Sequence, residues 1–331
     1  MTLLSVSRTP TNCSLDTYQG VEPIDVHTQN TMVTDSQEMY LVDTRSNLVI
    51  FGQNFLTVFK DIAFIVEMIV ELVKNFFRKK SEKTQFLSCS DQTAVNAFLQ
   101  KQQDDKENLK IKNQVFVIPG LGDSNLWGPL LKASFTKEYP NDKTTNFCFI
   151  RNDHNGNQDY GITFNAIYNM ISNYCIDHPN QPIALVGVSL GGRLCHDIEV
   201  QLSLEGKKNP VLVYAMASAF ESGLATEVKE KHPCLKPILH PSLFERLKRG
   251  SEITKSLIEK SNRTRTRKTV INDVMASNDM LIEKANAIPY IANQGDLLVH
   301  KPKVCHGASH LGVIKGCFGD CSSELTNFFA S

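Results

Sequence analysis

The pentapeptide Gly187-Val188-Ser189-Leu190-Gly191 constrains this chain more than any bulk property. It stands directly after the apolar run Ile183 to Val186 and directly before Gly192, Arg193 and Leu194, where a helix can start. A serine on so tight a strand-to-helix turn needs unusual backbone angles, and glycines on either side let the turn close while the hydroxyl projects above a sheet. The helix that follows puts its positive dipole end at the same spot, which favours developing negative charge. A continuous apolar strand feeding such a turn fits a parallel sheet covered on both faces.

The same signature recurs along the chain. Val115 to Ile118 is an apolar run ending in Pro119-Gly120, and Asn146 to Arg151, Val211 to Met216, Thr269 to Ala276 and Leu297 to Val304 read as further strands. Gly161 to Ile176 and Arg193 to Leu204 carry apolar residues at helical spacing, and a last helix is expected over Ser322 to Phe329. The alternation predicts an α/β architecture with a mostly parallel central sheet flanked by helices. The stretch from Glu221 to Lys268 breaks the rhythm and reads as a helical insertion; Glu227 to Lys268 holds 12 Lys or Arg against 5 Asp or Glu.

From Gln114 to Ser331 the chain resembles an α/β-hydrolase of the lipase, esterase and thioesterase kind. The elbow at Ser189 carries the resemblance, together with Pro119-Gly120-Leu121-Gly122-Asp123-Ser124-Asn125-Leu126-Trp127, which is similar to the family's oxyanion loop. Pro119 stands where family members often have His. The resemblance implies Ser189 as nucleophile, the amides of Leu121 and Leu190 as oxyanion donors, and Gly120 and Trp127 against the substrate. A serine hydroxyl needs a base, and the base an orienting acid, in the chain order Ser, Asp, His. Val274 to Ile282 is similar to the family's acid-bearing strand end and points to Asp279, with Asp273 inside the strand and Asp296 in Gln294-Gly295-Asp296 as rivals. His306-Gly307-Ala308-Ser309-His310-Leu311-Gly312 points to His310 as the base, with His306 as competitor. The insertion over residues 221–268 stands where the family places its cap. Leu235, Leu243 and Phe244 are candidates for an acyl pocket, and Arg246, Lys248, Arg249, Arg263, Arg265, Arg267 and Lys268 either meet anionic head groups or solvate a face.

Residues 1–46 are polar, with six acids against two bases, and read as a flexible arm. Residues 47–113 read as an amphipathic extension and linker. Lys60, Glu67, Glu71, Lys74 and Arg78 share one helical stripe, opposite a wide face that includes Phe55, Phe59, Ile65, Leu72 and Phe77. Either protein packing or peripheral membrane contact through residues 47–80 is expected to cover that face. The longest uncharged run there, Ser46 to Phe59, has 14 residues, short of the roughly 20 that a spanning helix needs.

The 35 basic and 35 acidic side chains balance, which argues against a general nucleic-acid partner. The nine cysteines lack the paired spacing of a zinc module or disulfide scaffold and fit a reducing compartment. The first residues lack the pattern of a cleaved secretory signal. The expected address is therefore cytoplasmic or peripherally membrane-associated, or another cell's cytosol reached without such a signal. The acidic run Asp153 to Asp159 fails as a calcium loop, since its sixth position is Gln158 and its twelfth Phe164, so no metal and no cofactor is expected. The resulting expectation is a serine hydrolase of lipid or acyl esters, a lipase, esterase or phospholipase. An acyl-protein or acyl-carrier thioesterase and a catalytically weak hydrolase-fold binding protein are the alternatives, and the oligomeric state is open.

Overall fold

The computed structural model describes residues 30–35, 38–43, 87–107, 113–120, 127–139, 144–151, 158–220, 240–248, 250–263, 265–279, 293–310 and 312–331, together with 282, 289 and 291. The amphipathic stretch expected over residues 55–77 and the first half of the cap lie outside them. Within the stretch read as a polar arm, β1 (Asn30–Asp35) and β2 (Glu38–Asp43) form an antiparallel hairpin pairing Asn30 with Asp43.

Seven strands form one parallel sheet: β3 (Leu87–Ser88), β4 (Asn113–Ile118), β5 (Thr145–Arg151), β6 (Ile183–Val188), β7 (Val211–Met216), β8 (Thr269–Ala276) and β9 (Leu298–Cys305). Their order is β3-β5-β4-β6-β7-β8-β9. The chain leaves β4 towards one edge and β6 towards the other, so the crevice between their carboxyl ends is the topological switch point, where open α/β sheets bind ligands. Ile118 of β4 pairs with Gly187 of β6, so this register delivers Gly120 and Ser189 to that crevice together.

Every residue of β6 and β7 is buried, as their unbroken apolar sequence requires of strands covered on both faces. Alternate side chains serve two cores. Phe116, Ile118, Leu185 and Val213 pack beneath α1 (Gln92–Glu107), α3 (Tyr160–Asp177) and α4 (Leu190–Leu204). Val115, Val117, Val186 and Leu212 face α2 (Trp127–Glu138) and α7 (Val313–Ala330). Each such buried aliphatic side chain contributes about 1.5–3 kcal/mol.

Two expectations need correction. The last helix begins at Val313, not near Ser322, and runs through Gly319 with Cys317 and Cys321 inside it. A mid-helix glycine costs about 1 kcal/mol relative to alanine. Burial of Val313, Ile314, Phe318, Leu325 and Phe328 on the same helix outweighs it.

The basic cluster after α5 (Pro241–Leu247) and α6 (Glu252–Arg263) also differs from its solvent-facing expectation. The side chains of Arg265 and Arg267 are 0% and 3% exposed and both pair with Glu199 of α4, itself 0% exposed. Burial alone would raise the Glu199 carboxyl, yet the two guanidiniums hold it below its ordinary range. Arg246 is likewise committed, to Asp197 of α4, which also accepts from Arg193 at 3.0 Å and from the Tyr160 hydroxyl at 2.7 Å. These guanidiniums fasten the cap to the helix behind the elbow, leaving Arg263, at 76% side-chain exposure, facing solvent.

Candidate active site

Ser189 is the residue where β6 ends and α4 begins, and it adopts φ 53° and ψ −123°. A non-glycine residue there carries strain of order 1–3 kcal/mol, tolerated only where the surroundings impose it. Its amide donates to the Met216 carbonyl at 2.8 Å, and its carbonyl accepts from Gly192 at 3.0 Å, so both sides of the turn are pinned. A Cβ on Gly191 would lie 2.0 Å from the Ile118 carbonyl oxygen, so only glycine lets α4 start this close to β4. A serine at a helix amino terminus ordinarily caps it by accepting from a backbone amide. Ser189 makes no such side-chain bond. Its hydroxyl is therefore held on a strained turn without being spent on the helix.

Gly120, buried just past β4, faces this hydroxyl; a Cβ there would lie 3.1 Å from Ser189 Cβ and 3.7 Å from Ser189 Oγ. The missing side chain keeps the space beside the oxygen clear. Leu190 is the first residue of α4, a position whose amide has no intrahelical acceptor. Leu121 lies outside the described residues. Trp127 opens α2, which places its backbone on the same loop-to-helix boundary.

Past the neighbouring strands the structure brings Asp279 and His310 together. Nδ1–H of His310 donates to Asp279 Oδ2 at 2.7 Å, with side-chain exposures of 6% and 2%. The other carboxylate oxygen, Oδ1, accepts from the Ile282 amide at 2.9 Å, which fixes the plane of the carboxylate. The two loops are stitched to each other: Asn278 donates its amide to Ala308 at 2.9 Å, and Gly307 donates to the Ser277 hydroxyl at 2.7 Å. Of the rivals, Asp296 sits exposed in the turn before β9, and His306 lies in the turn that follows it.

Asp273 is inside β8, fully buried, and occupied elsewhere. It accepts from His196 Nε2 at 2.6 Å and from His300 Nε2 at 2.7 Å. Burial pushes this carboxyl up, but the attraction of His196 and the hydrogen bonds from both rings outweigh it and hold it at about 2. The strand expected over Leu297 to Val304 contains His300 and the helix expected over Arg193 to Leu204 contains His196, but the sequence singles out neither ring. His300 is in β9 and His196 is 2% exposed, seven residues after Ser189 and so on the same face of α4. That spacing was the one available signal.

A cavity of about 210 Å³ opens at the other end of the sheet, where Asn113 and Thr145 begin β4 and β5, lined by Tyr139, Phe147 and Phe329. It is remote from Ser189, which lies at the strands' carboxyl ends. Among the described residues no group of three or more His, Cys, Asp or Glu side chains is placed to hold a metal ion, and no helix is long and apolar enough to cross a membrane.

The parallel strand order, the switch-point crevice and the serine-bearing turn together define an α/β-hydrolase fold. No family model and no curated protein matches this chain. Among solved structures it is similar to a monoacylglycerol lipase from Paleococcus ferrophilus, at 12% identity, 66% of this chain, 97% of that one and a TM-score of 0.42. A Bacillus licheniformis lipase matches at 14% identity over 65% of this chain and 92% of that one, with a TM-score of 0.41. A type II thioesterase from the borrelidin biosynthetic cluster matches at 13%, over 65% and 93%, with a TM-score of 0.38. At these identities no residue role is carried over.

Proposed function

We propose that this chain is a serine hydrolase of carboxylic esters with an apolar acyl group, working through Ser189, His310 and Asp279. The observation that carries the reading is the Ser189 turn: a strained serine at the switch point, its hydroxyl uncommitted to the helix it precedes. Asp279 takes Nδ1–H of His310, which orients the ring and assigns the role of base to Nε2. In the first step Ser189 Oγ bonds to the acyl carbon as Nε2 of His310 accepts its proton. The carbonyl oxygen becomes an oxyanion held by the amides of Leu190 and Leu121, each such donor contributing about 3 kcal/mol. The intermediate collapses, the bond from carbon to the leaving oxygen breaks, and His310 returns the proton to that oxygen. Water then attacks the acyl-enzyme by the same route and restores Ser189. Asp279 stays ionised and stabilises the imidazolium.

The test is hydrolysis of p-nitrophenyl esters of short, medium and long acyl chains by the full chain and by Ser189→Ala, with matched acyl thioesters in a parallel arm. Turnover lost in the variant is expected, and the acyl-length profile sharpens the substrate. Faster thioester cleavage would move the reading to a thioesterase. Equal turnover by both proteins would remove Ser189 as nucleophile, and no turnover with liposomes present would favour the binding-protein alternative.

A further inference from the structure

We propose that Asp273 is a positioning residue for the hydrolytic centre: through His196 and His300 it holds α4, β8 and β9 in the arrangement that presents Ser189, Asp279 and His310. The inference rests on the serine-hydrolase reading above. Each member of this cluster comes from an element that adjoins one of those three residues. His196 is in α4, which follows Ser189; Asp273 is in β8, which leads to Asp279; His300 is in β9, which leads to His310.

The bonds bear on relative position because of where they sit. Asp273 pairs with Pro302 and Ile271 with His300 across the two parallel strands, so Asp273 and His300 are diagonal neighbours on one face of the sheet. His196 reaches the same carboxylate from the helix layer above. One ring takes Oδ1 and the other Oδ2, so sliding either element costs one oxygen its donor. The carboxylate is 0% exposed, and Phe220 closes the side of His196 edge-on with ring centroids 4.4 Å apart. Apolar contact in this layer would be non-directional and tolerant of sliding. Charge-assisted hydrogen bonds to a single buried carboxylate are directional. Misplacing reacting groups by about 1 Å can cost on the order of 100-fold in rate.

The experiment uses the full chain and the variants Asp273→Asn, His300→Gln and His300→Phe. Folding is checked by circular dichroism. Proton NMR follows the low-field Nδ1–H of His310, assigned by its loss in His310→Asn, and kcat and KM are measured on a p-nitrophenyl ester. Asp273→Asn is expected to shift or broaden the His310 resonance and to lower kcat about 10- to 100-fold, with KM within about twofold. His300→Gln keeps an N–H donor and is expected to stay near wild type in both readouts, whereas His300→Phe follows Asp273→Asn. If Asp273→Asn does not fold, the Gln and Phe pair at position 300 decides. A folded Asp273→Asn with unchanged resonance and kcat would overturn the proposal, as would equal impairment by Gln and Phe. A wild-type chain that displays the resonance but hydrolyses no ester would sink the hydrolase reading instead, and the resonance would still decide the role of Asp273.

Discussion

Asp279 and Asp273 lie on the same stretch of chain and make histidine hydrogen bonds of nearly the same length, 2.7 Å for one and 2.6 and 2.7 Å for the other. The difference is place and ring nitrogen. Asp279 lies past the end of β8 at the sheet's rim and takes Nδ1 of His310, the ring nitrogen opposite the one the proposed mechanism uses as base. Asp273 lies inside β8 and takes Nε2 from both of its partners, which commits those rings to holding elements together. On the proposed function the same kind of bond would serve proton transfer at the rim and alignment in the interior. The two sites should fail in different ways, the rim in rate and the interior in stability and alignment.

The largest separation is expected at Asp279. Asp279→Asn should lower kcat by about 10³–10⁴-fold, because the amide favours the wrong imidazole tautomer, while the melting temperature barely moves. Kinetics and calorimetry on one preparation check this, and a large loss of stability would break the contrast. Glu199→Gln is the interior counterpart. It leaves Arg265 and Arg267 buried without their carboxylate and should destabilise the fold by about 3–5 kcal/mol in urea unfolding.

Gly120→Ala returns to the rim. The added methyl would press on Ser189 at 3.1 Å from its Cβ, and a 10- to 100-fold fall in kcat is expected with folding retained, read by stopped-flow acylation. The smallest effect is pH-dependent. Asp273 is depressed to about 2 in the folded chain, so its contribution to stability is present above the unfolded value near 4 and is lost as pH falls towards 2. That contribution is on the order of 2 kcal/mol, and Asp273→Asn should flatten the unfolding free energy between about pH 4 and 2.

The rim was the more legible half of the molecule. The Ser189 elbow shows in sequence because a turn this tight admits few residues, and the resemblance to the α/β-hydrolases pointed to Asp279 and His310 beside named rivals. The interior was harder because its polar residues contradict the usual reading of charge. Arg265 and Arg267 look like a solvated patch until Glu199, more than sixty residues earlier, is placed against them. His300 belongs to the strand expected over Leu297 to Val304, but nothing local shows that Lys303 is buried between Asp320 and Glu324 or that His300 meets Asp273. Gly319 hid the first turns of α7, since local propensity there opposes the burial that decides the outcome. Long-range pairing of this kind leaves no local signature.

The most direct test is to incubate the intact chain with a fluorophosphonate and map the adduct by peptide mass spectrometry. A single adduct on the peptide containing Ser189, formed quickly in wild type and slowly in His310→Asn, is the expected result. An adduct on another residue, or none in folded protein with liposomes present, would contradict the assignment of Ser189 as the nucleophile.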